Sequence, residues 1–168
     1  MKNIRLSRGD HEDRQSGMCL LEAASYIAGE PHSDHPDCVC PVIAAFGRSI
    51  NDLAPFNSDK ERTEFLLAYA PRMIGTRSES KELMHDRFDA ARDCVEQGMR
   101  AKARMIARVA LDNMEAKRGP EKAAEFAALM ICTELNSLRE HGRTVEYVQR
   151  LDDCIHVLDR MIACGKTR

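Results

Sequence analysis

Apolar residues recur at intervals of three and four along most of this chain, and glycine, proline and capping residues interrupt the pattern repeatedly. The clearest run, Met84, Phe88, Ala91 and Val95, places its side chains on one face of an α-helix. No segment shows a convincing alternation of apolar and polar residues, which is the pattern of a half-buried strand. The spacing therefore predicts an all-α fold.

Helix start and stop signals divide this pattern into about seven helices. Ser16 and either Ser78 or Ser80 are predicted N-caps, because their hydroxyls can accept hydrogen bonds from free amides of a first turn. Pro41 suits the first position of a helix, and Gly29 suits the position after a helix end. The predicted helices cover residues 17–28, 41–51, 59–69 and 80–97, a fifth helix ending near 117, and residues 121–140 and 144–164.

The length of the chain favours one domain with two parts. A chain of 168 residues is short for two full domains, so we expect a single domain over residues 1–168. Residues 1–76 are predicted to form an N-terminal module of short helices around a loop rich in Cys, His and Asp. Residues 77–168 carry longer helices joined by short glycine-containing turns, a pattern typical of an antiparallel helical bundle.

The same spacing predicts which side chains of the bundle face its core. Each of the last three helices is expected to turn one apolar face inward. The predicted core residues are Met105, Ile106 and Val109 in the fifth helix, Phe126, Leu129, Met130, Thr133 and Leu138 in the sixth, and Val148, Leu151, Ile155, Leu158 and Ile162 in the last.

Composition argues against several classes of protein. The formal net charge of −2 does not fit a generally basic nucleic-acid-binding surface. The sequence contains neither a long uncharged apolar window nor a secretory signal, so no membrane contact is expected. Seven cysteines, an odd number spread along the chain, do not fit a disulfide scaffold. We therefore expect a soluble, thiol-reduced, cytoplasmic protein.

Possible metal ligands concentrate in the loop His32-x-x-His35-x-x-Cys38-x-Cys40. Imidazole nitrogen and thiolate sulfur are the ligands that a tetrahedral zinc ion prefers. One ion is not expected to bind both Cys38 and Cys40. The other interpretation is that these cysteines are small buried hydrophobes and that the histidines cap helices or face solvent. The predicted zinc set is His11, Cys19, His35 and Cys38, with His32 as an alternative to His11.

Cys19 is also a candidate catalytic nucleophile. If Ser16 caps the helix, Cys19 occupies the first turn, where the helix dipole and free amides favour a thiolate and lower the thiol pKa. A nearby histidine such as His11 would act as the base, and Asp34 would orient it. The sequence predicts no sheet of the kind that carries the histidine of papain-like hydrolases. A buried structural cysteine is therefore the preferred interpretation.

Glu22 and Asp34 are candidate binding residues. Glu22 lies three residues after Cys19 on the same predicted helical face, and Asp34 follows in the loop. Neighbouring carboxylates can perform acid–base chemistry or bind a divalent cation. The alternative is that Glu22 forms an ion pair with Arg14 or Arg48.

Arg100, Arg104 and Arg108 recur every four residues and form a basic stripe on the fifth helix. Residues 98–118 carry an excess of four positive charges. Such a stripe can bind phosphates or an acidic protein surface. It lacks interleaved aromatic residues for base stacking, so a solvated or internally paired face is the preferred interpretation and nucleic acid is not the expected partner.

The first half of the chain resembles a pattern found in uncharacterised bacterial and phage proteins. The resemblance covers about residues 9–76 and brings no activity with it. His32 and Cys40 are not part of the pattern, so it favours a packing motif, or a site that uses Cys19, Glu22, Asp34 and Cys38. The residues that carry it are Gly17-Met18-Cys19-Leu20-Leu21-Glu22-Ala23, Ala28-Gly29-Glu30, Ser33-Asp34-His35-Pro36-x-Cys38, Pro41-Val42-Ile43, Arg48-x-x-Asn51-Asp52 and Pro71-Arg72-Met73-Ile74-Gly75-Thr76.

The sequence contains no complete catalytic set, so an enzyme is not the leading interpretation. We predict an interaction or regulatory protein that acts through protein–protein contacts. A homodimer through Met- and Leu-bearing helix faces is one form of that contact, and zinc is the candidate cofactor of the loop. The alternatives are a thiol-dependent hydrolase or transferase that uses Cys19, and nucleic-acid binding through the Arg100, Arg104 and Arg108 stripe.

Overall fold

The structure, a computed structural model, describes residues 4–99 and 101–165. Within these ranges the chain forms eight α-helices, one short 3-10 helix and no strand. Seven of the α-helices have eight or more residues and α4 is a single turn, so the predicted all-α fold of about seven helices is confirmed. The helices are α1 Leu20–Ala28, α2 Pro41–Leu53, α3 Asp59–Leu66, the 3-10 helix Leu67–Tyr69, α4 Ala70–Met73, α5 Lys81–Gln97, α6 Ala101–Arg118, α7 Pro120–Glu140 and α8 Thr144–Ala163.

The first helix begins at Leu20, because Cys19 rather than Ser16 provides the N-cap. The Cys19 sulfur accepts a hydrogen bond from the Glu22 amide at 3.5 Å, and the Glu22 carboxylate accepts one from the Cys19 amide at 2.7 Å. This reciprocal pair forms a capping box, which satisfies two amides at the helix start. The prediction of a Ser16 cap is wrong, since the left-handed φ of Gly17, +147°, interrupts the helical backbone before Cys19.

Other predicted boundaries are confirmed. Gly29 follows α1 with a left-handed φ of +77°, and Pro41 occupies the first position of α2. The hydroxyl of Ser80 accepts a hydrogen bond from the Leu83 amide at 3.2 Å and caps α5. These signals depend on backbone geometry at a single residue, which explains why local sequence specifies them.

The helix α7 lies at the centre of the bundle and packs against α2, α5, α6 and α8. Small side chains let these neighbours approach closely, so the alanine-rich side of α7 faces the core. The predicted face is therefore wrong in part: Leu129 is 46% exposed and Thr133 is exposed. The buried residues of α7 are Ala123, Ala124, Ala127, Ala128, Ile131, Cys132 and Leu135.

The helix α6 lies at one side of the bundle, against α7 and α5. Its buried residues are Ala107 and Leu111. The predicted core residues Met105, Ile106 and Val109 are instead 64%, 60% and 55% exposed. That prediction is wrong because neighbours cover a single side of α6, and small Ala107 faces them. In α8 the predicted face is confirmed except at its first member, Val148, which is 51% exposed.

The segment before α1, residues 4–18, packs across α1 and α2, and we call it the N-terminal arm. Leu6 is fully buried, the Ser7 amide donates to the Met18 carbonyl at 2.8 Å, and the Gly9 amide donates to Asp52 at 2.8 Å. A continuous cluster of buried apolar residues extends from the arm to α8. None of the helices in the described part of the chain is long and apolar enough to cross a membrane.

Candidate functional site

The carboxylate of Glu22 is the centre of a buried polar cluster. Glu22 is 1% exposed, and its Oε1 accepts a hydrogen bond from the His11 amide at 2.8 Å. Its Oε2 hydrogen-bonds His11 Nδ1 at 2.8 Å, in addition to the Cys19 amide. The Nε2 atom of His32 lies 3.6 Å from Oε1 and 3.0 Å from the His11 carbonyl oxygen. We call Ser7, His11, Cys19, Glu22 and His32 the Glu22 cluster.

Ser7, His11 and Glu22 are connected in the same order as the residues of a hydrolase triad. The Ser7 hydroxyl lies 2.8 Å from His11 Nε2, and the opposite ring nitrogen contacts Glu22. A hydrolase also needs free amides aimed at the reacting oxygen. Here the amide of Ser7 donates to the Met18 carbonyl, and that of Leu6 donates to the Thr63 hydroxyl at 2.9 Å. The cluster fastens the N-terminal arm to α1, and we call it a clasp.

Gly17 is required for the close packing of this clasp. A Cβ atom added at Gly17 would lie 2.5 Å from the His11 ring and 2.8 Å from the Ser7 hydroxyl. The backbone of Gly17 also has a left-handed φ, which side chains disfavour. Both properties explain why glycine occupies this position near the end of the arm, just before the helix cap.

Cys19 lies inside the cluster and is not an activated thiol. It is 3% exposed, and burial raises the pKa of its thiol to about 12. The predicted decrease of this pKa is wrong, because Cys19 is the cap residue, is removed from solvent and lies beside the Glu22 carboxylate. The structure therefore gives no support to a nucleophile at this position.

The predicted zinc ligands do not assemble into one site. His11 and Cys19 both contact Glu22, whereas the His35 side chain is 65% exposed and hydrogen-bonds Asp34 at 2.6 Å. Cys38 is half-buried, and burial together with a hydrogen bond to Glu30 raises the pKa of its thiol to about 11. In residues 4–99 and 101–165 no group of three or more His, Cys, Asp and Glu side chains is placed to hold a metal ion.

Asp34 fastens the loop to α2 rather than joining the Glu22 cluster. The Arg48 guanidinium donates to the Asp34 carbonyl at 2.9 Å and lies 3.8 Å from its carboxylate. The same arginine lies 3.8 Å from Glu121 at the start of α7. Arg48 therefore pairs with Asp34 and not with Glu22, and it connects the loop to the bundle.

The basic stripe of α6 is partly neutralised within the chain. Arg100 lies outside the described residues. Arg104 donates to the Met99 carbonyl at 3.2 Å, and Arg108 forms two hydrogen bonds of 2.7 and 2.6 Å with Glu96. The hydrogen bond from Arg108 lowers the pKa of Glu96 and raises the pKa of Arg108. The predicted internally paired face is thus present at Arg108.

A different face of α6 points to solvent. Lys102, Met105, Val109 and Asp112 are spaced by three, four and three residues and are all exposed, which places them along one line on the helix. We call these four residues the α6 surface. Ile106 extends its apolar area to one side. The apolar spacing predicts core positions for Met105, Ile106 and Val109, because spacing alone does not tell which side of a helix neighbours will cover.

The sequence does not predict the structural roles of two polar residues, Ser7 in the arm and Asn51 in α2. Asn51 is fully buried, accepts a hydrogen bond from the Leu20 amide at 3.2 Å and donates to the Ser7 carbonyl at 2.9 Å. It therefore joins α1, α2 and the arm. Neither Asn51 nor Ser7 carries a local signal of this role, because their partners lie on segments distant in the sequence.

In comparisons with protein-family models, curated proteins and solved structures, the chain matches no family model, no curated protein and no solved structure. The resemblance of residues 9–76 to bacterial and phage proteins stays a prediction.

Proposed function

We propose that this protein acts without catalysis, through protein–protein contact, and that a second copy of the chain docks on the α6 surface. The observation that carries this proposal is the exposure of three large apolar side chains on one helix, Met105, Ile106 and Val109, each more than half exposed. Contiguous exposed apolar area marks interaction surfaces more often than isolated apolar residues do.

The choice of partner follows from the symmetry of the surface. Met105 and Val109 lie two residues on either side of Ala107, and Lys102 and Asp112 lie five residues on either side. Ala107 is buried, so the point diametrically opposite to it faces solvent. A two-fold axis through that point pairs α6 with an antiparallel copy of itself.

This pairing is complementary in both apolarity and charge. Met105 of one copy meets Val109 of the other, and Lys102 of one copy meets Asp112 of the other, each pair occurring twice. A single helix pair buries less area than the roughly 1,200–2,000 Å² of a stable complex. We therefore expect an association that depends on concentration, as a regulatory contact requires.

All seven cysteines are free thiols, which supports the cytoplasm as the compartment in which we propose that the contact forms.

Charge reversal at the two ends of the surface tests the proposal. Lys102→Asp gives a chain with acidic residues at both ends, and Asp112→Lys gives one with basic residues at both ends. Each variant alone is expected to be monomeric in sedimentation equilibrium, because like charges then meet across the axis. Mixed in equal amounts, the two are expected to form a heterodimer, since every pair is again opposite in charge.

The control variant is Arg92→Gln. Asp112 also accepts a hydrogen bond from Arg92 at 3.1 Å within the same chain, and this variant removes that bond while the α6 surface stays intact. It is expected to associate like the parent chain. A parent chain that stays monomeric at millimolar concentration, or two variants that fail to associate when mixed, would contradict the proposal.

A further inference from the structure

A cavity of about 370 Å³ lies between the N-terminal arm, the end of α2 with the segment that follows it, α3 and α7. Three arginines from these separate parts of the chain line it: Arg8, Arg62 and Arg139. Asp52 is the carboxylate of the lining, and it already accepts hydrogen bonds from the Gly9 amide and the Asn51 side chain. The cavity shares no lining residue with α6, so its role is independent of the proposed self-association.

Arg62 places a buried positive charge in the wall of this cavity. Its side chain is 8% exposed, its Nε donates to the Asn51 carbonyl at 2.9 Å, and its Nη1 pairs with Asp59. These contacts leave Nη2 without an acceptor among the described residues. An anion in the cavity would supply an acceptor for this nitrogen.

The other two arginines form no ion pair within the described residues, and Asp52 is the one carboxylate among the three arginines of the lining. Arg139 donates to neutral acceptors, the Pro55 carbonyl at 2.6 Å and the Asn57 side chain at 2.8 Å. Arg8 is exposed and forms no ion pair within residues 4–99 and 101–165. Cations converging on one cavity repel each other, so binding of an anion is favoured by all three.

The exposed lining is mainly polar, and a few apolar side chains form the rest of it. Leu53, Phe56 and Leu129 line the cavity, and the Phe56 ring lies 5.5 Å from the Arg62 guanidinium and 6.0 Å from the Phe65 ring. Thr133 also lines it, with a hydroxyl that donates only to the Leu129 carbonyl of its own helix. The volume lies within the range of small-molecule sites.

We infer that this cavity binds a small organic anion, namely a carboxylate or phosphate group attached to a short apolar body. The anionic group lies between the three guanidinium groups, and the apolar body lies against Phe56 and Leu129. Arginine suits this task because its planar array of donors matches the oxygens of a carboxylate or phosphate.

Calorimetric titration of the full chain with four probes tests the inference. Phenylacetate and phenyl phosphate carry both parts of the ligand, benzyl alcohol lacks the charge, and inorganic phosphate lacks the apolar body. We expect at least one of the two organic anions to bind with a Kd below about 1 mM. Benzyl alcohol and inorganic phosphate are each expected to bind at least tenfold more weakly than that anion.

Two variants connect this binding to the cavity. Arg8→Gln removes an exposed charge with no ion pair, and Thr133→Phe fills the cavity from an exposed position without changing any charge. Both are expected to weaken binding of the organic anion at least fivefold. The matched control is Arg5→Gln, on the same arm, because Arg5 lies 3.9 Å from Asp59 and does not line the cavity. It is expected to bind like the parent chain.

Several results would overturn the inference. They are the absence of binding by both organic anions, equal binding of benzyl alcohol or inorganic phosphate, and unchanged affinity in either cavity variant. Equal loss of affinity in Arg5→Gln and Arg8→Gln would also overturn it, because the effect would then come from the net charge of the arm.

Discussion

At the scale of single residues, the Glu22 carboxylate determines how the chain before α1 is held. Its oxygens accept from the Cys19 amide, the His11 amide and the His11 ring, so one side chain both caps a helix and fixes the arm. Buried carboxylates of this kind contribute through the donors they satisfy, since each donor would otherwise lose its partner inside the protein.

The variant Glu22→Gln tests this role while keeping the volume of the side chain. The glutamine side chain has one acceptor oxygen where glutamate has two, so it satisfies fewer donors. Its NH2 group is a donor and would face the backbone N–H groups of His11 and Cys19, which are also donors. We expect the free energy of unfolding in urea to fall by about 2–3 kcal/mol. Glu12→Gln, an exposed change on the same arm, is the control and is expected to change it by less than about 0.5 kcal/mol. Equal stability of the two variants would contradict the assigned role.

The thiols of the N-terminal half give a second residue-scale prediction. Alkylation by iodoacetamide follows the thiolate fraction, and the raised pKa values, about 12 for Cys19 and about 11 for Cys38, keep that fraction very small at pH 8. We expect Cys38 to be labelled at least tenfold more slowly than a free thiol at pH 8, with a rate that rises with pH. Cys19 is expected to be labelled only when the chain unfolds. Peptide mapping by mass spectrometry measures both, and rapid labelling of Cys19 at pH 6 would revive a nucleophilic role.

At the scale of helices, three ion pairs tie α6 to α5. His85 Nδ1 hydrogen-bonds Glu115 at 2.6 Å, Arg92 contacts Asp112 at 3.1 Å, and Arg108 contacts Glu96. With few buried apolar residues, α6 depends on these polar contacts more than its neighbours do. We therefore expect the attachment of α6 to respond to salt and pH.

The pH dependence follows from His85. The hydrogen bond to Glu115 raises the pKa of His85 in the folded chain. The pKa of an unfolded-state histidine is about 6.5, and at pH values below it the His85–Glu115 pair stabilises the folded chain fully. This stabilisation is lost as the pH rises through the higher pKa that His85 has in the folded chain. His85→Gln is thus expected to destabilise the chain more at pH 5.5 than at pH 8.5. Because His85 is half exposed, the difference should be below about 1 kcal/mol. Thermal melts at both pH values measure it, and a larger loss at pH 8.5 would contradict it.

The helices also show which parts of the structure the sequence could predict. Gly29, Pro41 and Ser80 mark helix boundaries through local backbone chemistry, and these predictions are confirmed. The faces of α6 and α7 could not be predicted in the same way, because alanine is compatible with either a core or a surface position. Val109 and Leu129 therefore looked like core residues, although the alanines beside them are the ones that neighbours cover.

The same limit applies to the candidate site. His11, Cys19 and Glu22 were among the predicted site residues and do come together, because two of them lie on one helix start. His35 and Cys38 do not join them, since the course of the loop depends on contacts with α2 and with residues near 75, such as the hydrogen bond from the Gly75 amide to the Cys38 carbonyl. No local pattern encodes those contacts.

At the scale of the whole molecule, Arg150 joins three helices. Its side chain on α8 is 9% exposed, donates to Glu134 on α7 at 2.9 Å, and donates to the Cys94 carbonyl on α5 at 2.8 Å. Gly98 lies against this pair, and a side chain there would collide with it. A buried ion pair that also satisfies a backbone carbonyl fixes the relative position of the helices it connects.

Arg150→Met retains most of the apolar stem while removing the charge, and it leaves Glu134 and the Cys94 carbonyl without their donor. We expect the free energy of unfolding to fall by about 3 kcal/mol. Arg143→Met is the control, since Arg143 pairs with Glu146 on the exposed surface three residues away, and it should cost less than about 0.5 kcal/mol. Urea titrations of both variants provide the comparison, and a loss below 1 kcal/mol for Arg150→Met would show that packing alone holds the junction.

The central position of α7 has a consequence for synthesis of the chain. The apolar side of α2 packs against α7, yet about 70 residues separate the end of α2 from the start of α7. At a translation rate of roughly 5–20 residues per second, α2 emerges from the ribosome roughly 4–14 s before α7 begins to emerge. During that interval the apolar side of α2 is open to chaperones and to neighbouring nascent chains. The fold can therefore close only after most of the chain has been made.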